Sequence, residues 1–102
     1  MANPKIIVEM HEALLGMGNI SMKGELREKE KSEMRTFENF LDSMLGLGNY
    51  TPLTGENGKP TLIVNHLEQS LKDYNEPQST LIQEYIGLVK KVKANAEKIC
   101  VR

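Results

Sequence analysis

His11, His66, Cys100 and five scattered serines are the side chains that could do chemistry here, and none stands in a working pattern. His11 is flanked by Glu9 and Glu12, and His66 lies far along the chain among apolar residues. A metal site asks for ligands one helical turn apart, as in His-x-x-x-His or Glu-x-x-His, and neither spacing occurs. Both histidines read as surface or boundary residues. Cys100 sits between Lys98 and Arg102, a basic setting that lowers a thiol pKa, but there is no second cysteine to resolve an oxidised intermediate or close a disulfide. Ser21, Ser32, Ser43, Ser70 and Ser79 lack a nucleophile elbow and a base at fixed spacing, so nucleophilic catalysis has no support. The expectation is a protein that is not an enzyme and uses no cofactor or metal.

Two features repeat or concentrate. Glu12-Ala-Leu-Leu-Gly-Met-Gly-Asn-Ile-Ser21 parallels Asp42-Ser-Met-Leu-Gly-Leu-Gly-Asn-Tyr-Thr51. Both read as helix endings, in which a glycine takes the left-handed conformation and a hydroxyl residue caps the next segment. A pair of anion-binding turns is the sharper alternative, but neither follows a strand and opens a helix as a phosphate loop does. The other concentration is Lys90, Lys91, Lys93, Lys98 and Arg102, opposed by Glu97 alone. Lysines near a helix end complement its dipole, which is the plainer reading; the functional one is a positive edge facing an acidic protein surface or anionic lipid. This edge is the candidate partner-binding surface.

The elements that position these residues follow from periodicity. A chain of 102 residues with 39% apolar content builds one core, so residues 1–102 are expected to form a single domain. Without Trp, that core must be made of Leu, Ile, Val and Met, which suits packed helices. The predicted helices span about 4–16, 22–46, 60–74 and 77–99. Pro4, Pro60 and Pro77 open three of them, Ser21 caps the second, and the glycines at 16 and 18 stop the first. Glu25 to Glu33 mixes charges at i,i+3 and i,i+4 and reads as a solvated face. Residues 50–59 form the one long loop, preferred to a hairpin around Glu56-Asn57-Gly58. The most regular stripe runs Leu81, Ile82, Tyr85, Ile86, Val89, Val92, Ala96, Ile99 and anchors the bundle. The fold class is therefore all-α, an antiparallel four-helix bundle.

Thirteen basic against fourteen acidic residues leave a net charge of -1, and aromatic residues make up 5%. That balance argues against nucleic acid, whose binders carry net basic domains and stacking groups. No apolar run reaches signal-peptide or membrane-spanning length, so a reduced, cytoplasmic location is expected, extending at most to the membrane-proximal zone.

Pro60-Thr-Leu-Ile-Val-Asn-His-Leu-Glu-Gln-Ser-Leu71 resembles the third helix of enterocin A-type, pediocin-like bacteriocin immunity proteins. In that family an apolar triplet, Asn, a basic residue and Leu precede another Leu four positions on. The layout is similar too: comparable length, a short first helix, a longer second and a lysine-rich fourth. The resemblance implies a cytoplasmic four-helix bundle from a Gram-positive bacterium that protects the cell. Its implied partner is the membrane sugar permease, or that permease in complex with the bacteriocin, approached from inside. It also implies a monomer or weak dimer with at most weak peripheral membrane contact, and bacteriocin discrimination in the C-terminal half. No contact through the family's extended tail after the last helix is expected here, because no residues of this sequence match that tail. The alternative is a small helical adaptor or homo-oligomeric interaction module, with Glu25 to Glu33 or a Met10, Met17 and Met44 patch as its interface, although core packing is the expected role of those methionines.

Overall fold

Four helices carry the chain in the computed structural model: α1 (Pro4–Ser21), α2 (Glu28–Leu47), α3 (Lys59–Ser70) and α4 (Gln78–Cys100). The structure describes residues 4–100. Single 3-10 turns follow α2 and α3, at Thr51–Leu53 and Leu71–Asp73, and no strand occurs among the described residues. α1 and α3 each pack against both α2 and α4, which closes the four into a ring. Side-chain pairs fix the directions. Ser70 near the end of α3 meets Glu30 near the start of α2, whereas Lys59 at the start of α3 lies over the Phe40 ring far along α2. Lys90 reaches Glu68, and Glu97 accepts the Gly55 N–H, so α3 and α4 are also antiparallel. The result is the four-helix bundle that the periodicity predicts, with a radius of gyration of 13.3 Å.

Its core is aliphatic and sulfur-rich. Met10, Met17, Met34, Leu41, Leu67, Ile82, Val89 and Val92 are wholly buried, and Tyr85 is the largest side chain among them. Met10 and Met17 therefore cannot form an exposed methionine patch, and Met44 packs half-buried against the same core. The alternative interface through those three residues is overturned. Unbranched thioethers fill gaps between helices that Leu and Ile leave, without a fixed shape of their own.

The first two helix boundaries differ from expectation. α1 does not stop at Gly16 but runs through both glycines to Ser21. Two helical glycines cost about 1 kcal/mol each relative to alanine. Burying Met17 and Ile20, which continuing the helix achieves, returns about 1.5 to 3 kcal/mol each, so packing wins. Gly16 has a packing reason of its own. A Cβ there would stand 3.1 Å from Leu88 Cδ1, and its absence lets α4 approach closely. Ser21, expected to cap α2, is instead buried at the end of α1, where its hydroxyl serves the Gly18 carbonyl and Glu38. α2 then begins at Glu28, and Arg27 before it makes no side-chain cap.

The second glycine pair behaves as predicted. Gly48 takes φ 71°, its N–H bonds the Leu45 carbonyl, and the Asn49 N–H reaches back to Met44. That double bond is the Schellman arrangement, which satisfies carbonyls a helix end would otherwise leave orphaned. α3 and α4 lie within a residue of their expected starts, though α3 tightens into its 3-10 turn after Ser70.

The loop between α2 and α3 is folded down by Leu53, which is fully buried. Gly58 closes it under tight contact: a Cβ there would lie 2.5 Å from the Thr54 carbonyl oxygen and 3.2 Å from that of Pro52. Backbone cannot give way as a side chain tip can. Gly58→Ala is expected to lower stability by about 1 to 3 kcal/mol through forced displacement of the loop. Chemical denaturation checks this, with Gly46→Ala, which meets open space, as the variant that should not destabilise.

Candidate functional site

The lysines of α4 share a helix but not a role. Lys90 stands 3.8 Å from Glu68 on α3, and Lys93 lies 4.0 Å from Glu97 one turn on. Glu97 is already tied to the backbone of Gly55, so this pair braces the loop against α4. Lys91 and Lys98, seven residues apart, are both exposed on one outer line of α4 and make no ion pair among the described residues. Two of the predicted five thus form an open positive edge, and two are spent on internal pairing. Arg102 lies outside the described residues.

The charged stretch from Glu25 to Glu33 is not the uniform solvated face its composition suggests. Leu26 is buried, and Glu30 is buried completely. The Glu30 carboxylate accepts hydrogen bonds from the Tyr74 hydroxyl, from Ser70 Oγ at 3.2 Å and from Arg27 Nε at 3.2 Å. Arg27 also lies over the Tyr74 ring, 4.5 Å from its centroid, and 3.8 Å from Asp73. Burial pushes the Glu30 carboxyl up, but the hydrogen bonds from Tyr74, Arg27 and Ser70, with the Arg27 charge, more than offset it and hold it below its ordinary value. The cluster ties the start of α2 to the end of α3. Both carboxylate oxygens accept hydrogen bonds, so the buried charge is compensated and the group acts as a clasp between the two helices.

A second buried polar group links three helices. Tyr85 Oη donates toward Glu38 Oε2 at 2.8 Å and lies 3.1 Å from the Met34 carbonyl, while Ser21 Oγ approaches the other Glu38 oxygen at 3.2 Å. Burial, then the neighbouring Glu38 charge, drives the Tyr85 phenol far above its ordinary value, so it stays a neutral donor. Sequence patterning placed Tyr85 in the core but gave no sign of Glu38 as its partner, 47 residues away.

An open groove of about 560 Å³ lies between α2 and α3. Phe37, Phe40 and Ile63 form its apolar floor, and half-exposed Leu62 stands on its rim. His66 Nδ1 and Glu33 Oε2, 2.5 Å apart, close one end. Lys59 marks the other, its Nζ 5.6 Å from the centroid of Phe40. His66 is exposed at the edge of the groove, within the surface-or-boundary reading of the sequence. His11 is exposed on α1, and no group of three or more metal-capable side chains occurs among the described residues. Cys100 is a half-buried free thiol at the last position of α4.

Across the described residues no helix is long and apolar enough to cross a membrane. No family model, curated protein or solved structure matches the chain.

Proposed function

We propose that this chain is a bacteriocin immunity protein that works by contact, binding a membrane receptor or its complex with a bacteriocin through the outer face of α4. The observation that carries the reading is the pair Lys91 and Lys98, two exposed cations on one line of the helix, without counter-ions among the described residues. Exposed unpaired charge contributes little to folding, but it steers and orients an encounter with an acidic surface. The bundle supports the reading because the buried Glu30 and Tyr85 are engaged in holding helices together, leaving the outer faces for recognition. The resemblance of residues 60–71 supplies the class of partner, a sugar permease approached from inside the cell.

The test is expression in a sensitive Gram-positive strain, challenged with a panel of pediocin-like bacteriocins. Protection against at least one is expected. The double variant Lys91→Glu, Lys98→Glu should lose most of that protection while remaining folded with a modestly lowered melting temperature, because neither side chain packs in the core and Lys98 alone, in the last turn of α4, complements the helix dipole. Undiminished protection by a folded double variant would remove the role assigned to these lysines. Absence of protection across the panel, with abundant soluble protein, would favour the adaptor reading. That second reading has one observation in its favour: Val8, Leu15 and Met22 are exposed at seven-residue spacing along α1 and just past its end.

A further inference from the structure

The groove between α2 and α3 ends at a cation with no counter-ion among the described residues, and that asymmetry specifies a ligand. We propose that it binds a single-chain amphipathic carboxylate of medium length, the hydrocarbon lying over Phe37, Phe40 and Ile63 and the carboxylate meeting Lys59. The volume of about 560 Å³ falls within the roughly 300 to 1,000 Å³ of small-molecule sites, which likewise pair an apolar lining with few polar groups. Lys59 makes no ion pair among the described residues and is held beside the Phe40 ring. An anion placed there meets both the ammonium and the positive amino-terminal turn of α3, which carries no acidic residue.

The opposite end fixes the orientation. The Glu33 carboxylate, 2.5 Å from His66, already takes that ring's nitrogen as its partner, which leaves Lys59 as the one cation of the groove lining without an ion-pair partner among the described residues and places the head group there. The same pair limits the length. Lys59 and His66 are seven positions apart on α3, about 10 Å of helix, too short a floor for a partner helix but suited to a chain of medium length. This site shares no residue with the α4 edge, so the two proposals stand or fall separately.

The experiment is a titration of the whole protein with hexanoate, octanoate and decanoate below their micellar concentrations, followed by amide NMR shifts and calorimetry. Saturable binding is expected, with shifts confined to residues around 33–40 and 59–66. Affinity should rise about fourfold per added methylene until the groove is full. Lys59→Gln, at an exposed position, should weaken decanoate by about two- to fivefold without altering the fold. Decylammonium should bind clearly more weakly than decanoate. The proposal is overturned by binding that appears only with micelles, by shifts centred on α1 or α4, by equal affinity for decylammonium, or by indifference to Lys59→Gln.

Discussion

Val89→Asp is expected to abolish cooperative folding. Val89 is fully buried on α4, the helix that packs against both α1 and α3. An unpaired carboxylate there costs several kcal/mol, against a total stability of about 5 to 15 kcal/mol for a domain of this kind. Among the described residues no Lys, Arg or His is buried, so no buried cation is at hand to pair with the charge. Val89→Ala separates the charge from the lost volume. Its cost should be about 2 kcal/mol, from two methyl groups and a partly relaxed cavity, and it should still unfold cooperatively. Far-UV circular dichroism through a thermal ramp distinguishes the two. An aspartate variant that melts cooperatively near the native temperature would show that α4 does not present this face to the core.

Glu30→Ala has the second largest expected effect. Its removal leaves the Tyr74 and Ser70 hydroxyls without their acceptor and empties a fully buried site, a loss of about 2 kcal/mol or more. Glu30→Gln keeps the shape and one acceptor oxygen, so it should cost less. The pH dependence gives a sharper signature. The folded Glu30 carboxyl is held below its unfolded value of about 4.3, so on acidification the unfolded chain takes up the proton first. The stabilisation is complete above the unfolded value and is lost as the pH falls through the lower folded one. Between about pH 6 and pH 3, native protein should therefore lose more stability than Glu30→Gln. Denaturation midpoints measured across that range check it; parallel curves would mean that Glu30 is not held as described.

What the sequence disclosed and what it hid have separate physical causes. α4 was legible because Ile82, Tyr85, Ile86, Val89, Val92 and Ala96 all lie on one helical face and all are buried, so local periodicity and tertiary burial agree. The ending at Gly48 was legible because left-handed backbone selects glycine locally. Gly16 misled because its glycine serves a contact with Leu88, 72 positions away, that no local pattern encodes. Glu30 misled for a similar reason. Its neighbours in sequence are charged and exposed, and its burial comes from Ser70 and Tyr74 at the far end of α3 and just beyond it. Among the five basic residues put forward as a partner surface, composition could not distinguish Lys90 and Lys93, spent on Glu68 and Glu97, from Lys91 and Lys98, which face outward.

The proposed function is physical contact with a receptor complex, and contact can be measured apart from survival. Purified chain would be mixed with inverted membrane vesicles from isogenic strains with and without the sugar permease, with and without a pediocin-like bacteriocin to which the chain confers protection, and the vesicle-bound fraction determined. Retention should require the permease, increase with bacteriocin and fall sharply for Lys91→Glu, Lys98→Glu. Equal retention on permease-free vesicles, or none on permease-containing vesicles with bacteriocin present, would contradict the proposed function.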